Sequence, residues 1–348
     1  MNKNKNKRKI IIPIFIPHKG CPHDCSFCNQ KKIAGEGTDV TADKVSQIVN
    51  LQLENLKKVD GSKEIAFYGG SFTGLPKEQQ SQLLTIAYEK KKQGLVNEIR
   101  ISTRPDYINE EILDFLLDYG VSIIELGVQS TDDDVLNLNN RGHSRKDVFR
   151  SVSLIRQRNI QLGLQMMVGL YGDTEEKLLK TARDIIDCKP DFVRIYPTIV
   201  IQDTLLEKLY LDGVYKPISL NEAVYLCKQL VLEFNKNNIP IIRLGLQATE
   251  EISIGRGIVA GPYHPAFREI VETEVYKNII ENKITKNEKL EGMVLNIYCN
   301  SKDCSKVSGY NQSNKHYFEN KYGFRKIKIY PLSNILAGEV NVEIIAAL

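Results

Sequence analysis

The chain has 348 residues, 26% of them charged and 42% hydrophobic, with a net charge of +4. It can bury a sizeable core in one large or two smaller domains, holds no stretch long enough to span a bilayer, and is too weakly basic to bind an anionic partner except through a local patch. Seven cysteines scattered over this length fit a reducing compartment, so the expected location is the cytoplasm.

The start, "MNKNKNKRKIIIPIFIP", imitates a signal peptide. Its apolar run is short, carries Pro13 and Pro17, and meets "HKGCPHDC" in place of a small-residue cleavage site. It reads as a disordered basic tail (1–9) followed by a strand at 10–16. Further β-rich runs follow at 64–68, 98–103, 122–128, 161–168, 191–196 and 239–246, separated by amphipathic helical stretches. In "TADKVSQIVNLQLENLKK", Val45, Ile48, Val49, Leu53 and Leu56 share one helical face. "GDTEEKLLKTARDIID" opens on Asp173 or Thr174 as N-cap. Strand–helix alternation of this kind predicts a parallel sheet with right-handed crossovers, either open and doubly wound or closed into a full or partial barrel.

Strand patterning helps to choose. A parallel strand covered on both faces is apolar on both. In "QLGLQMMV", however, Leu162, Leu164, Met166 and Val168 share one face, and Gln161, Gly163, Gln165 and Met167 the other. Glu125, Gly127 and Gln129 align in the same way, as do Arg194 and Tyr196. One apolar and one polar face in three strands fits a barrel whose lumen holds a ligand. The rhythm ends near residue 250, which places a barrel at 10–250 and an extension at 251–348.

"GCPHDCSFC" places Cys21, Cys25 and Cys28 in C-x3-C-x2-C spacing directly after the first strand. Three clustered thiols are too close and too odd in number for a disulfide framework. Structural zinc needs a fourth ligand, which His18, His23 or the pair Cys299 and Cys304 could supply. A 4Fe-4S cluster held by three cysteines keeps an open coordination position on one iron.

This spacing after the first strand of a β/α repeat resembles the radical S-adenosylmethionine (SAM) superfamily. The resemblance implies a partial (β/α)6 barrel, a 4Fe-4S cluster on Cys21, Cys25 and Cys28, and SAM chelated to the open iron. By the same resemblance, Phe27 lies against the adenine, Gly69, Gly70 and Ser71 of "YGGSFTGLP" flank the methionine moiety, and Glu125 suits the ribose hydroxyls. Gln165 and Met167 join the cofactor-binding set on the strand leading into "VGLYGDT", which backs the adenine.

The succession "GGSFTGLP", "ISTRPDY", "ELGVQS", "NRGHS", "QMMVGLYGDT", "RIYPTIVIQDTLL" is similar to the catalytic subunit of Elongator, which modifies carbon 5 of the wobble uridine in tRNA. The match runs over about residues 10–220. Elongator's acetyltransferase domain has no counterpart in the residues that follow, and Arg194 stands where its strand motif usually has lysine. Arginine is a fixed fork that stays protonated, so acetyl-CoA-dependent carboxymethylation is not carried over.

The activity implied is reductive cleavage of SAM to a 5′-deoxyadenosyl radical that abstracts hydrogen from a substrate, with an electron donor such as flavodoxin or ferredoxin. Arg104, Gln129, Gln165, Arg194 and Tyr196 are the candidate substrate contacts, and His143 is a weaker one. Lysines and aromatics interleave over 305–330, a composition suited to RNA. The expected partner is therefore a tRNA substrate, with no membrane involved. The alternatives are a coproporphyrinogen-oxidase-like enzyme acting on a small molecule and a non-catalytic iron–sulfur protein that binds RNA.

Overall fold

Seven strands form one all-parallel sheet in the computed structural model, which describes residues 8–16, 24–29, 40–246, 253–254, 257–284 and 290–347. They are β1 (Lys9–Ile16), β2 (Ser62–Gly69), β3 (Glu98–Thr103), β4 (Ile123–Gln129), β5 (Gln161–Val168), β6 (Phe192–Pro197) and β8 (Ile241–Leu244), hydrogen-bonded in that order. β1 and β8 are the two edges, so the sheet is an open, partial barrel. These are the seven runs expected from the sequence. Helices α1 (Ala42–Asn55), α2 (Lys77–Lys92), α3 (Glu110–Asp118), α4 (Asp133–Leu138), α5 (Arg145–Arg156) and α6 (Glu175–Asp187) fill the crossovers.

Local chemistry sets the helix ends. Thr41 caps α1 by accepting from Lys44 N, and Thr174 caps α6 by accepting from Lys177 N. Ser144 and Asp147 form a reciprocal capping box at the start of α5. On α1, Val45 and Val49 are buried but Ile48 is 36% exposed, so the apolar stripe is narrower than its periodicity suggested.

The strands are two-sided, as their patterning requires. Ile65, Phe67, Ile99, Ile101, Leu126, Leu164 and Ile195 are fully buried on the apolar side. The opposite side carries Glu64 and Tyr68 of β2, Arg100 of β3, Glu125 of β4, Gln165 of β5 and Arg194 of β6. Close approach there depends on Gly163. A Cβ on it would lie 2.2 Å from Phe192 Cε2 and 3.0 Å from Glu125 Cγ.

The chain divides into two units, Met1–Ile218 with Phe234–Tyr263, and Ser219–Glu233 with His264–Leu348. α7 (Leu205–Leu211) belongs to the first unit and α8 (Leu220–Lys236) spans the division. A small sheet of β7 (Val200–Ile201), β10 (Gly257–Ala260) and β9 (Ser253–Ile254) completes the first unit. The second holds α9 (Phe267–Glu281), α10 (Cys304–Ser308), α11 (Ser313–Tyr322) and a three-stranded sheet ordered β12 (Lys326–Pro331), β11 (Val294–Cys299), β13 (Val340–Ile345). The expected boundary near 250 and residues 1–7 of the basic tail lie outside the described residues. Among the described residues, no helix is long and apolar enough to cross a membrane.

Replacing Gly163 by alanine forces the Phe192 ring off its site. Overpacking of this kind costs about 1–3 kcal/mol. The expected result in urea unfolding is a lower midpoint with an unchanged slope.

Candidate functional site

A cavity of about 160 Å³ opens at the C-terminal ends of the parallel strands. It is lined by Cys25, Phe27 and Cys28 of the cysteine loop, Gly69, Gly70 and Ser71 at the end of β2, and Ser102, Thr103 and Arg104 at the end of β3. Gly127 and Gln129 of β4, Gln165 of β5, and Arg141 from the loop before α5 close it. Nine of the residues singled out from the sequence therefore line this one cavity: Cys25, Phe27, Cys28, Gly69, Gly70, Ser71, Arg104, Gln129 and Gln165. Cys21 lies outside the described residues, as do His18 and His23.

The cysteine loop is tied down by backbone and amide contacts. Ser26 Oγ donates to Asn139 Oδ1 at 2.7 Å, and Ser26 N donates to Asn139 O at 3.1 Å. Asn139 Nδ2 in turn donates to Val135 O and Tyr171 O at 2.8 and 2.9 Å. Leu206 N donates to Ser26 O at 2.7 Å, which links the loop to the start of α7. Phe27 packs beside Val200, Leu206 and Tyr215. Cys25 is buried and Cys28 half-buried. Arg141 Nη1 lies 3.3 Å from Cys25 Sγ, while its Nη2 donates to Gly127 O.

Arg141 and Asn139 come from "LNNRGHS", a segment in which the sequence singles out His143. The signal missed was the arginine two residues before it, since a lone loop arginine is usually solvated and only the fold brings it beside a thiol. His143 does not line the cavity. Its Nε2 donates to Val128 O at 3.1 Å, so the ring is a backbone brace on β4. Burial, together with the cations Arg141 and Arg104, pushes its pKa down to about 3.

Backbone shape opens the wall on the opposite side. Gly69 has φ +104°, and a Cβ there would lie 2.5 Å from Ile16 O, so bare backbone faces the cavity. Gly70 N donates to Ile16 O at 2.9 Å. Gln129 adopts φ +68°, beside a register shift between β4 and β5, and this turns its side chain into the cavity. Ser71 Oγ and Thr73 Oγ1 both contact Thr103 Oγ1, at 2.8 and 2.6 Å. Asp106 holds Arg104 through two bonds of 3.0 Å.

Four polar atoms on the cavity lining are buried and have no hydrogen-bond partner among the described residues: Ser102 Oγ, Arg104 Nη1, Gln129 Oε1 and Arg141 Nε. Buried polar groups are rarely left unsatisfied, and a concentration of them in one cavity marks a site for a polar ligand. Thiols on one side, glycine backbone on another and two guanidinium groups between suit a metal–sulfur cluster and a zwitterionic, nucleoside-bearing cofactor.

Glu125, Met167, Arg194 and Tyr196 do not line this cavity. Glu125 is completely buried and pairs with Arg100. It also accepts from Arg194 Nε at 3.1 Å and from Gln165 Nε2 at 3.0 Å. Arg194 reaches Tyr68 Oη at 3.0 Å and Tyr196 Oη at 3.3 Å, and Arg100 reaches Glu64 at 2.8 Å. Burial and the Glu125 charge push the Tyr68 phenol up to about 12. Burial disfavours the Arg194 cation, but Glu125 beside it prevails and its pKa rises.

Residues 15–185 match the radical SAM superfamily and residues 190–277 its Radical_SAM C-terminal domain. An uncharacterized protein of Methanocaldococcus jannaschii is 32% identical over 252 residues, 69% of this chain and 76% of that protein. The chain belongs to the radical SAM superfamily. It is thus a radical SAM enzyme, and its cofactors are a 4Fe-4S cluster and SAM. It is also similar to the tRNA uridine(34) acetyltransferase of Methanocaldococcus infernus (31% identity, 50% of this chain, 36% of that protein). Elongator complex protein 3 of Saccharomyces cerevisiae is 31% identical, over 52% of this chain and 36% of that protein. The chain thus spans about a third of the length of these two relatives. The structure of M. infernus Elp3 lacking its N-terminus shares the fold, with a TM-score of 0.60 and 23% identity over 81% of this chain and 65% of that one.

Two outcomes test this description. Glu125→Gln removes one of two carboxylates that balance Arg100 and Arg194. Breaking a buried pair costs about 3–5 kcal/mol, so a clear drop in melting temperature is expected even without cofactors. His143 takes up its second ring proton in the folded state only at about pH 3, against 6.5 for an ordinary histidine. The unfolded chain therefore binds more protons between these values, and the folded state loses stability as the pH falls through that window. His143→Gln should flatten this acid limb in thermal melts, while melts near pH 8 stay on the level set by lost packing alone.

Proposed function

We propose that this enzyme modifies a base of tRNA by hydrogen abstraction. The observation that carries the reading is the conjunction at one rim of the cysteine loop, the bare Gly69–Gly70 backbone and four unpartnered polar atoms. The tRNA part rests on sequence identity with two relatives whose names specify tRNA uridine 34 or Elongator. Cys21, Cys25 and Cys28 would hold the cluster. Gly69, Gly70 and Ser71 would take the amino-acid end of SAM, and Phe27 would pack on its adenine. Bound together, the two cofactors supply one-electron cleavage of a sulfonium and hydrogen-atom abstraction, with electrons from a flavodoxin- or ferredoxin-type donor.

The chain's own residues do the positioning. Arg141 sets its guanidinium against Cys25 Sγ and donates to Gly127 O, which fixes the cysteine loop against the end of β4. Arg104, braced by Asp106, directs an unpaired Nη1 at the cavity, where an anionic group of cofactor or substrate completes its bonds. Gln129 and Gln165 bring amides to the cavity lining, where they would contact substrate. Arg194 is committed to Glu125 and Tyr68 and stays protonated, so it supplies no base. That supports a reaction other than the acetyl transfer named for the relatives.

Anaerobically reconstituted protein given SAM and dithionite is expected to release 5′-deoxyadenosine. Incubation with tRNA should raise that release and leave a nucleoside of altered mass. An intact cluster with no 5′-deoxyadenosine would point to a non-catalytic iron–sulfur protein instead.

A further inference from the structure

The second unit has a sheet with two unlike faces. Leu295, Ile297, Cys299, Ile327 and Val340 point one way, into a core completed by Phe318 and Phe324. The pleat sends their neighbours the other way. Register places Lys326 beside Val294, Lys328 beside Asn296 and Tyr330 beside Tyr298. On the other flank, Glu343 lies beside Asn296 and Asn341 beside Tyr298. The outward face therefore carries two rings, two lysines, two amides and one carboxylate.

These groups are ordered. Tyr298 and Tyr330 stack with centroids 5.3 Å apart and planes 21° from parallel. Glu343 accepts from Tyr298 Oη at 2.7 Å and from Asn296 Nδ2 at 3.2 Å, which fixes the inner ring and occupies the carboxylate. Tyr330, on the edge strand, is 37% exposed. Lys326 and Lys328 have no ion-pair partner among the described residues. By contrast, most of the basic aromatic stretch that precedes β12 is already engaged. Lys321, Tyr317 and Tyr322 converge on Glu281. Lys306 pairs with Asp303 and Glu272, and Phe318 and Phe324 are core.

We propose that this face is a stacking platform for unpaired bases of an RNA strand, an inference that rests on the tRNA reading above. The Tyr298–Tyr330 stack presents one ring face that is held flat before any ligand arrives, so a base can stack on it at little further ordering cost. Lys326 and Lys328 alternate along the edge strand on the side of Tyr330, about 7 Å apart, where they can follow a phosphate backbone. Charge complementarity selects nucleic acid over protein as the occupant, since Ile345 is the one exposed aliphatic side chain on the face.

The test uses the full chain, with a fluorescein-labelled oligouridine and a labelled unmodified tRNA as probes in anisotropy titrations. Tyr330→Ala should weaken both by about tenfold and Tyr330→Phe should bind like wild type, since stacking needs the ring and not the hydroxyl. Lys326→Glu with Lys328→Glu should weaken binding and lower the slope of log K against log salt by about two. Wild-type tRNA affinity in all these variants would overturn the platform and leave the tRNA reading standing, as would tight tRNA binding with none to oligouridine. Wild-type protein that binds neither RNA while cleaving SAM would overturn the tRNA reading, and the platform with it. A dimer in sedimentation that Tyr330→Ala dissolves would assign the face to a second copy and overturn the proposal.

Discussion

Two carboxylates and two guanidinium groups, Glu64, Glu125, Arg100 and Arg194, lie inside the partial barrel and come from four different strands. Their charges sum to zero, and each side chain finds partners on neighbouring strands. Ions removed from water this completely are costly unless paired and hydrogen-bonded. The strands must therefore keep a register in which Glu125 faces Arg100, Arg194 and Gln165 together. A one-residue slip would turn every charge in a strand toward the helices and every isoleucine inward. Gly163 belongs to the same constraint, because it lets Phe192 and Glu125 share the space where a side chain would otherwise stand.

The site is built one pleat further along the same strands. Ser102 follows Arg100 by two residues, Gly127 follows Glu125 by two, and Gln165 bridges the layers by donating to Glu125 while lining the cavity. The ionic layer thus acts as a rigid floor beneath the cavity. Above it, the chain spends hydrogen-bonding groups without partners, at Arg104, Gln129, Ser102 and Arg141. A fold that pairs its buried charges with one another below and leaves four polar atoms open above is arranged for a polar ligand at that level. Arg194 illustrates the division. Its position in "FVRIYP" suggested contact with substrate, but its guanidinium is held in the floor.

The second unit repeats the contrast between composition and placement. A run of lysines and aromatic residues reads as a nucleic-acid surface in one dimension. In three, Glu281 collects Lys321 and two tyrosines, while Phe318 and Phe324 fill the core. Exposed Tyr330 and the cations Lys326 and Lys328 lie at the very end of that run, and the ring stacked on Tyr330, Tyr298, comes from a strand that precedes the run altogether. Cys299 and Cys304 face each other at 3.5 Å in this unit. No third metal-ligating group joins them among the described residues.

Periodicity along the chain determined the seven strands, their arrangement as a parallel repeat, and the division of three of them into an apolar and a polar face, because strand patterning is local and alternates with a period of two. The cysteine spacing and the glycine pair announced the chemistry for the same reason: the motif is contiguous. What only the tertiary structure decided is which polar residues face the cavity and which face one another. Glu125, Arg194 and Gln129 look alike as polar positions on strands, yet two are locked in an ion network and one is turned into the cavity by a bulge. Arg141 reached the cysteine loop across more than a hundred residues of chain. Such partnerships depend on register and on loop closure between distant segments, and no single stretch of sequence carries that information.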